Sequence, residues 1–272
     1  MSWLEAIVLG IAQGLTEFLP ISSTAHLRIV PAFAGWEDPG ALFTAVVQLG
    51  TMLAVVIYFW QDLVRITRAW LLSLRQPQRR RDLDARMGWY VILATIPIGV
   101  FGLAFNDQIE SGARNLYLIG TVLIVLGLVL LLAEAVSKRT RGIHEVDRWD
   151  AIWVGLAQAL ALVPGTSRSG ATITAGLFRG MRREAAARFS FLLSIPAVVL
   201  SGLYGLVELI TGDNETSFGA LAVATLFAFL LGYASIAFLL RYLANHSTLI
   251  FVVYRVILGA VVIALTASGT IS

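Results

Sequence analysis

Six runs of about 20 residues along the chain are apolar and almost free of charge: residues 41–60, 87–105, 116–136, 189–210, 218–240 and 249–267. An α-helix rises about 1.5 Å per residue, so about 20 residues span a hydrocarbon core of roughly 30 Å with every backbone polar group bonded internally. Each run therefore predicts a crossing helix. Two further apolar stretches are interrupted. Residues 2–34 carry Gln13, Glu17, Pro20, Ser22, Ser23, Thr24, His26 and Arg28, and residues 150–178 are broken by Pro164-Gly165-Thr166-Ser167-Arg168-Ser169-Gly170. A single crossing by either stretch would invert the charge alternation of the later connections. Both read as re-entrant hairpins, in which a helix enters, breaks at the proline and returns as a second short helix. Non-helical backbone at membrane depth is tolerated only where protein or water satisfies it, so the breaks should line a cavity. The pattern predicts an all-α polytopic membrane protein with six transmembrane helices plus two re-entrant helical hairpins, in a single integral membrane domain spanning residues 1–272.

Composition agrees with this reading. The 272 residues are 58% hydrophobic and 14% charged, against about 45–50% and about 25% in soluble domains, and the mean hydropathy is +0.81. Disorder, collagen and disulfide scaffolds are excluded, with no cysteine present. The N-terminus lacks the basic region of a cleavable signal. Net charge is only +3, and the pI near 9.5 reflects arginine used in place of lysine, so no nucleic-acid partner is expected. The charges are sorted by position. A loop between the first two runs holds Arg65, Arg68, Arg75, Arg79, Arg80, Arg81 and Arg86. Further clusters are Lys138, Arg139, Arg141 and Arg148, then Arg179, Arg182, Arg183 and Arg188, then Arg241. The remaining connections carry Glu37 and Asp38, Asp107 and Glu110, Asp213 and Glu215. By the positive-inside rule the arginine-rich loops are cytoplasmic, and six crossings then put both termini outside.

Gly10-Ile11-Ala12-Gln13 matches Gly155-Leu156-Ala157-Gln158 at an offset of 145 residues, and each is followed by a proline and a Ser/Thr-rich break. Three crossings follow each break. The two halves, about residues 1–140 and 148–272, therefore have opposite membrane orientations, which is the pattern of an inverted-topology repeat with its site between paired broken helices.

Ionisable groups at membrane depth are costly and mark function by default. Glu17, His26, Arg168 and Arg255 qualify, with Glu134 and Glu208 near the ends of runs. Gln13 and Glu17 share a helix face. There the carboxylate either holds a divalent cation, moves a proton, or is simply a buried Glu satisfied by a neighbour. Ser22, Ser23 and Thr24 would open the returning helix, as caps or, beside His26, as an activated hydroxyl nucleophile. In the second break, Gly165, Thr166, Ser167, Arg168, Ser169 and Thr172 are phosphate-binding parts: glycine for close approach, hydroxyls and free N–H groups at a helix start, and a guanidinium fork. A cap with a snorkelling arginine is the plain alternative. Arg255 pairs with Glu208, Glu134 or a substrate phosphate. Together the two breaks suit phosphoryl transfer, and equally an anion or lipid-phosphate transporter. A Ser23–His26 pair separates the two, because transport does not need it.

The segment Gln13-Gly14-Leu15-Thr16-Glu17-Phe18-Leu19-Pro20-Ile21-Ser22-Ser23-Thr24-Ala25-His26, with Pro164-Gly165-Thr166-Ser167-Arg168-Ser169-Gly170-Ala171-Thr172, resembles the bacitracin-resistance family of undecaprenyl-diphosphate phosphatases over essentially the whole chain. The resemblance implies an enzyme of the bacterial inner membrane, with a cavity open to the periplasmic side. It would hydrolyse undecaprenyl diphosphate to undecaprenyl phosphate and inorganic phosphate, recycling the lipid carrier for peptidoglycan synthesis. It also implies a divalent metal ion, Mg2+ or Ca2+, with Glu17 as the metal residue. By position Glu17 is the essential acid, Ser23 the nucleophile and His26 its acid/base partner. Arg168 would hold the diphosphate, with Ser167, Ser169 and Thr172 helping and with Gln13, Ser22, Thr24, Gly165 and Thr166 also lining the substrate. Gln13 takes the uncharged option at its motif position, which argues against a two-carboxylate metal site. The expected partners are the polyprenyl diphosphate lipid and the bilayer, and a homodimer is admitted.

Overall fold

The computed structural model of the chain describes residues 1–105, 115–211 and 218–271. Asp107, Glu110, Asp213 and Glu215 lie outside the described residues, as does the side chain of Glu208. Among the described residues there is no strand, only an isolated bridge between Arg141 and Met181. The helices are α1 (Trp3–Phe18), α2 (Ser23–Ala34), α3 (Gly40–Tyr58), α4 (Trp60–Arg75), α5 (Leu83–Ala104), α6 (Leu116–Val136), α7 (Arg148–Ala159), α8 (Arg168–Phe178), α9 (Arg183–Thr211), α10 (Phe218–Asn245) and α11 (Leu249–Ala267).

The protein is a multi-pass membrane protein. Helices α5, α6, α10 and α11 are long and apolar enough to cross a membrane, and α3 with α4 forms a fifth candidate if that bent pair is one span. The fourth apolar run, residues 189–210, falls within α9. The arginine-rich loop expected over residues 61–86 is instead largely helical. α4 leaves α3 at an angle of 75° and packs on α5, with Trp70 set edge-on against Trp89. Ile66 and Ser73 are its buried positions, while its remaining faces stay open.

α1–α2 and α7–α8 are the two broken helices. Their parts correspond at the same offset of 145 residues from one end to the other. Ser2 caps α1 in a reciprocal box with Glu5, and Asp147 caps α7 in the same box with Asp150. Gly10 lies so close to α10 that a Cβ there would sit 2.3 Å from the Ala224 carbonyl oxygen, and a Cβ on Gly155 would sit 2.7 Å from that of Ala94 on α5. At the breaks, Ser22 (φ 74°, ψ 100°) and Ser167 (φ 65°, ψ 107°) share a positive-φ backbone that non-glycine residues rarely adopt. α1 thus packs along α10 and α7 along α5, with α3 against α9 and α10, and α6 against α11.

The start of α7 is pinned from outside the hairpin. Asp150 is fully buried, and its carboxylate accepts from Arg141 Nη1 (2.9 Å) and Nη2 (2.6 Å), from Arg179 Nε (2.8 Å) and from the Asp147 N–H (2.9 Å). Burial alone would raise this carboxyl, but the hydrogen bonds from Arg141, Asp147 and Arg179 outweigh it and hold Asp150 below the usual aspartate range.

Candidate active site

After Pro20 the chain reverses at Ser22, whose positive φ folds α2 back beside the end of α1. Ser22 Oγ accepts the Ala25 N–H (3.4 Å), and Ser167 Oγ accepts the Gly170 N–H (3.1 Å) in the matching turn. The two turns bring the first residues of α2 and α8, Ser23 and Arg168, to the same carboxylate. A helix N-terminus presents unpaired N–H groups and the positive end of the helix dipole, so two of them together favour an anion.

Glu17 is the hub. Its Oε2 accepts from Ser23 Oγ (2.6 Å) and Gln13 Nε2 (3.0 Å), and its Oε1 accepts from Arg168 Nη2 (2.9 Å) and Gln48 Nε2 (3.3 Å). The carboxylate is buried, while Ser23 beside it is half-buried and the neighbouring Thr24 exposed. Of the six buried side-chain polar atoms without a partner among the described residues, three belong to expected site residues: Gln13 Oε1, Thr166 Oγ1 and Arg168 Nη1. A buried unsatisfied donor or acceptor costs about 1–3 kcal/mol, more when charged, so this spare set is suited to a polar ligand.

His26 is placed differently from the expectation. Its Nδ1 donates to the Ser22 carbonyl (2.7 Å), and Nε2 in the neutral ring accepts from the Tyr254 hydroxyl (2.6 Å). The hydrogen bond of Ser23 goes to Glu17 instead. The reason is the turn at Ser22, which carries Ser23 toward α1 and swings the imidazole toward α11. Of the other expected residues, Ser22 Oγ and Thr24 Oγ1 lie 3.2 Å apart, and Ser169 Oγ donates to the Leu19 carbonyl (2.9 Å) while 3.1 Å from Ser167 Oγ. Thr172 Oγ1 lies 2.6 Å from Ser190 Oγ and donates to the Arg168 carbonyl (2.8 Å). Ser169 thus joins the second break to the first, and Thr172 braces α8 against α9.

Among the described residues Arg255 pairs with no carboxylate. It is fully buried and donates to four carbonyls: Nε to Leu123 (3.2 Å), Nη1 to Pro20 (3.2 Å), and Nη2 to Gly165 (3.2 Å) and Thr166 (3.1 Å). One guanidinium therefore clamps both breaks to each other and to α6. Glu134, considered as its partner from sequence, binds Arg139, Arg183 and the Thr248 hydroxyl instead.

Residues 6–261 match the family described as Bacitracin resistance protein BacA. The chain belongs to this family. Among relatives of the BacA-family chain, a protein of Nocardioides sp. named undecaprenyl-diphosphatase is 54% identical over 272 residues, covering all of this chain and 99% of its own length. Proteins of the same name from Mycolicibacterium smegmatis and Chlorobium phaeobacteroides are 54% and 52% identical, each over 99% of its own length.

For a metal, the BacA-family site offers few anionic ligands. Among the described residues no group of three or more His, Cys, Asp and Glu is placed to hold an ion. Glu17 and the unpartnered Gln13 Oε1 are a hard-oxygen pair, which fits a cation that takes its other ligands from water and phosphate, as Mg2+ commonly does. Two members of the site lay outside the sequence reading. Gln48 comes from an unbroken apolar helix, and its polarity amid that run was the one available signal. Tyr254 had none, because an aromatic residue near the end of a span is ordinary there.

Proposed function

We propose that this chain hydrolyses undecaprenyl diphosphate to undecaprenyl phosphate and inorganic phosphate, as the names of its relatives state for them, and so returns a lipid carrier to envelope polymer synthesis and confers bacitracin resistance. The observation that carries the mechanism is the 2.6 Å hydrogen bond from Ser23 Oγ to Glu17, with the unpartnered Nη1 of Arg168 alongside. The terminal phosphate is received between the N-termini of α2 and α8, its oxygens bound by Arg168 and Thr166. Glu17 removes the Ser23 proton as Oγ attacks the terminal phosphorus. The bond from phosphorus to the bridging oxygen breaks, and undecaprenyl phosphate leaves. Water then attacks the phosphoserine: its oxygen joins phosphorus, its proton returns to Ser23 Oγ, and inorganic phosphate departs. Glu17 gives its proton to solvent. His26, held by Tyr254, fixes the Ser22 carbonyl and so keeps the strained turn that aims Ser23. A divalent ion, Mg2+ or Ca2+, is proposed on Glu17 and Gln13 Oε1, where it supplies neutralising charge for the phosphate oxygens.

The same reading places the site on the periplasmic side of the bacterial inner membrane, with the arginine-rich segments cytoplasmic. It takes the chain as six crossings and two re-entrant hairpins in an inverted-topology repeat. The residue-for-residue correspondence of α1–α2 with α7–α8 supports that view. The test is phosphate release from undecaprenyl diphosphate by the purified protein. Release that stops on chelation with EDTA and returns with Mg2+ or Ca2+ is expected. Absence of release, with a fluorescent prenyl phosphate crossing reconstituted vesicles, would favour transport instead.

A further inference from the structure

α4 carries an amphipathic surface that the site does not use. At 100° per residue, Trp60, Val64, Leu71 and Leu74 fall on one stripe of the helix, and each is about half exposed. Arg68 and Arg75 run along the edge of that stripe. The third face, with Ile66, packs on α5. The 75° bend from α3 turns this helix nearly at right angles to that apolar helix; with α3 crossing the bilayer, α4 would lie along its surface. An apolar stripe edged by arginine is the arrangement of a helix seated at the level of lipid headgroups.

Part of the charge on and beside it is unspent. Residues 60–86 hold seven arginines and three aspartates. Arg65 is committed to Asp62 and Asp84, both at 3.0 Å, but Arg68, Arg75 and Arg81 have no hydrogen-bond or ion-pair partner among the described residues. A groove of about 560 Å³ runs along α4, lined by Trp60, Val64, Arg65, Arg68, Leu72 and Arg79 with no carboxylate at its wall. The 3-10 turn Pro77–Arg81 delivers Arg79 to it, where Nε donates to Gln76 Oε1 (2.5 Å) and the two Nη groups remain to meet an anion.

We propose that this groove binds an anionic phospholipid. The headgroup phosphate sits between Arg68 and Arg79, and an acyl chain runs along Trp60, Val64 and Leu72. The occupant is set by charge complementarity: two arginines without a carboxylate meet an anion, and the apolar floor beside them meets a chain. Purified protein is equilibrated with mixed micelles of phosphatidylglycerol and phosphatidylcholine, and the retained lipid is counted by native mass spectrometry. The wild type is expected to retain phosphatidylglycerol selectively. The Arg68→Ala/Arg79→Ala variant should lose about tenfold of that preference while releasing phosphate normally in detergent. Arg68→Lys/Arg79→Lys, which keeps the charge, should hold it within about threefold. Equal retention of both lipids by the wild type, an undiminished preference in the alanine pair, or an equal loss in the lysine pair overturns the proposal. So does a change of oligomeric mass in the alanine pair, which would make a second copy of the chain the occupant.

Discussion

Glu17 illustrates how one buried carboxylate is made tolerable and useful at once. Four donors from α1, α2, α3 and α8 meet its two oxygens, so its charge is compensated without a second acid. The shortest of the four comes from the hydroxyl placed to react. Glu17→Gln removes the base and should lower kcat by about 10²-fold or more, measured as phosphate release. Ser23→Ala should abolish turnover and leave lipid binding intact. A phosphoserine trapped by acid quench in the wild type, absent from Ser23→Ala, would establish covalent transfer; direct attack by water would leave none. The sequence singled out Glu17, Ser23, His26 and Arg168 as candidate site residues, but not who bonds whom. Ser23 and His26 are three residues apart on one helix, and spacing alone cannot say that the turn at Ser22 hands the serine to α1.

At the scale of the element, both broken helices depend on a serine that is strained and capping at the same time. A positive φ on a non-glycine residue costs of order 1–3 kcal/mol, whereas a serine cap contributes about 1 kcal/mol. Two substitutions at Ser167 separate these contributions. Ser167→Ala keeps the strain and loses the cap, so it should destabilise by about 1 kcal/mol or more. Ser167→Gly loses the cap but relieves the strain, and should melt close to the wild type. Thermal unfolding in detergent reads both. The helix breaks were legible because proline and a polar run inside an apolar stretch are visible in one dimension. The geometry of the turn was not, since nothing in a Ser-Ser or Thr-Ser pair announces a positive φ. α4 was read as a loop for a similar reason: an arginine every few residues hides an amphipathic helix whose apolar side is only one third of its circumference.

The whole molecule is joined by two separate arginine arrangements. Arg255 binds the carbonyls of both breaks and of α6 from the interior of α11. Arg255→Leu would leave those carbonyls buried without donors, and about 3 kcal/mol or more of stability should be lost, with activity lost alongside. Arg141 and Arg179 hold Asp150 and through it the start of α7. The folded carboxyl of Asp150 titrates below its unfolded counterpart, so its stabilisation is fully present above the ordinary aspartate range and is lost as pH falls through the folded value. Asp150→Asn should therefore melt lower than the wild type at neutral pH, and the gap should close on acidification. A gap independent of pH would assign the effect to packing.

By itself the sequence determined the class of the molecule and its inventory of chemistry. An apolar run near 20 residues has one solution in a bilayer, and a charged or polar side chain kept at depth must be doing something that repays its desolvation. Only the tertiary structure decided the pairings. Ser23 meets Glu17 because a turn at Ser22 folds α2 onto α1, Arg168 arrives from about 150 residues away, and Arg255 finds carbonyl groups. Every residue carries a carbonyl, so a partner of that kind leaves no trace in the sequence and exists only where the chain has folded to present it.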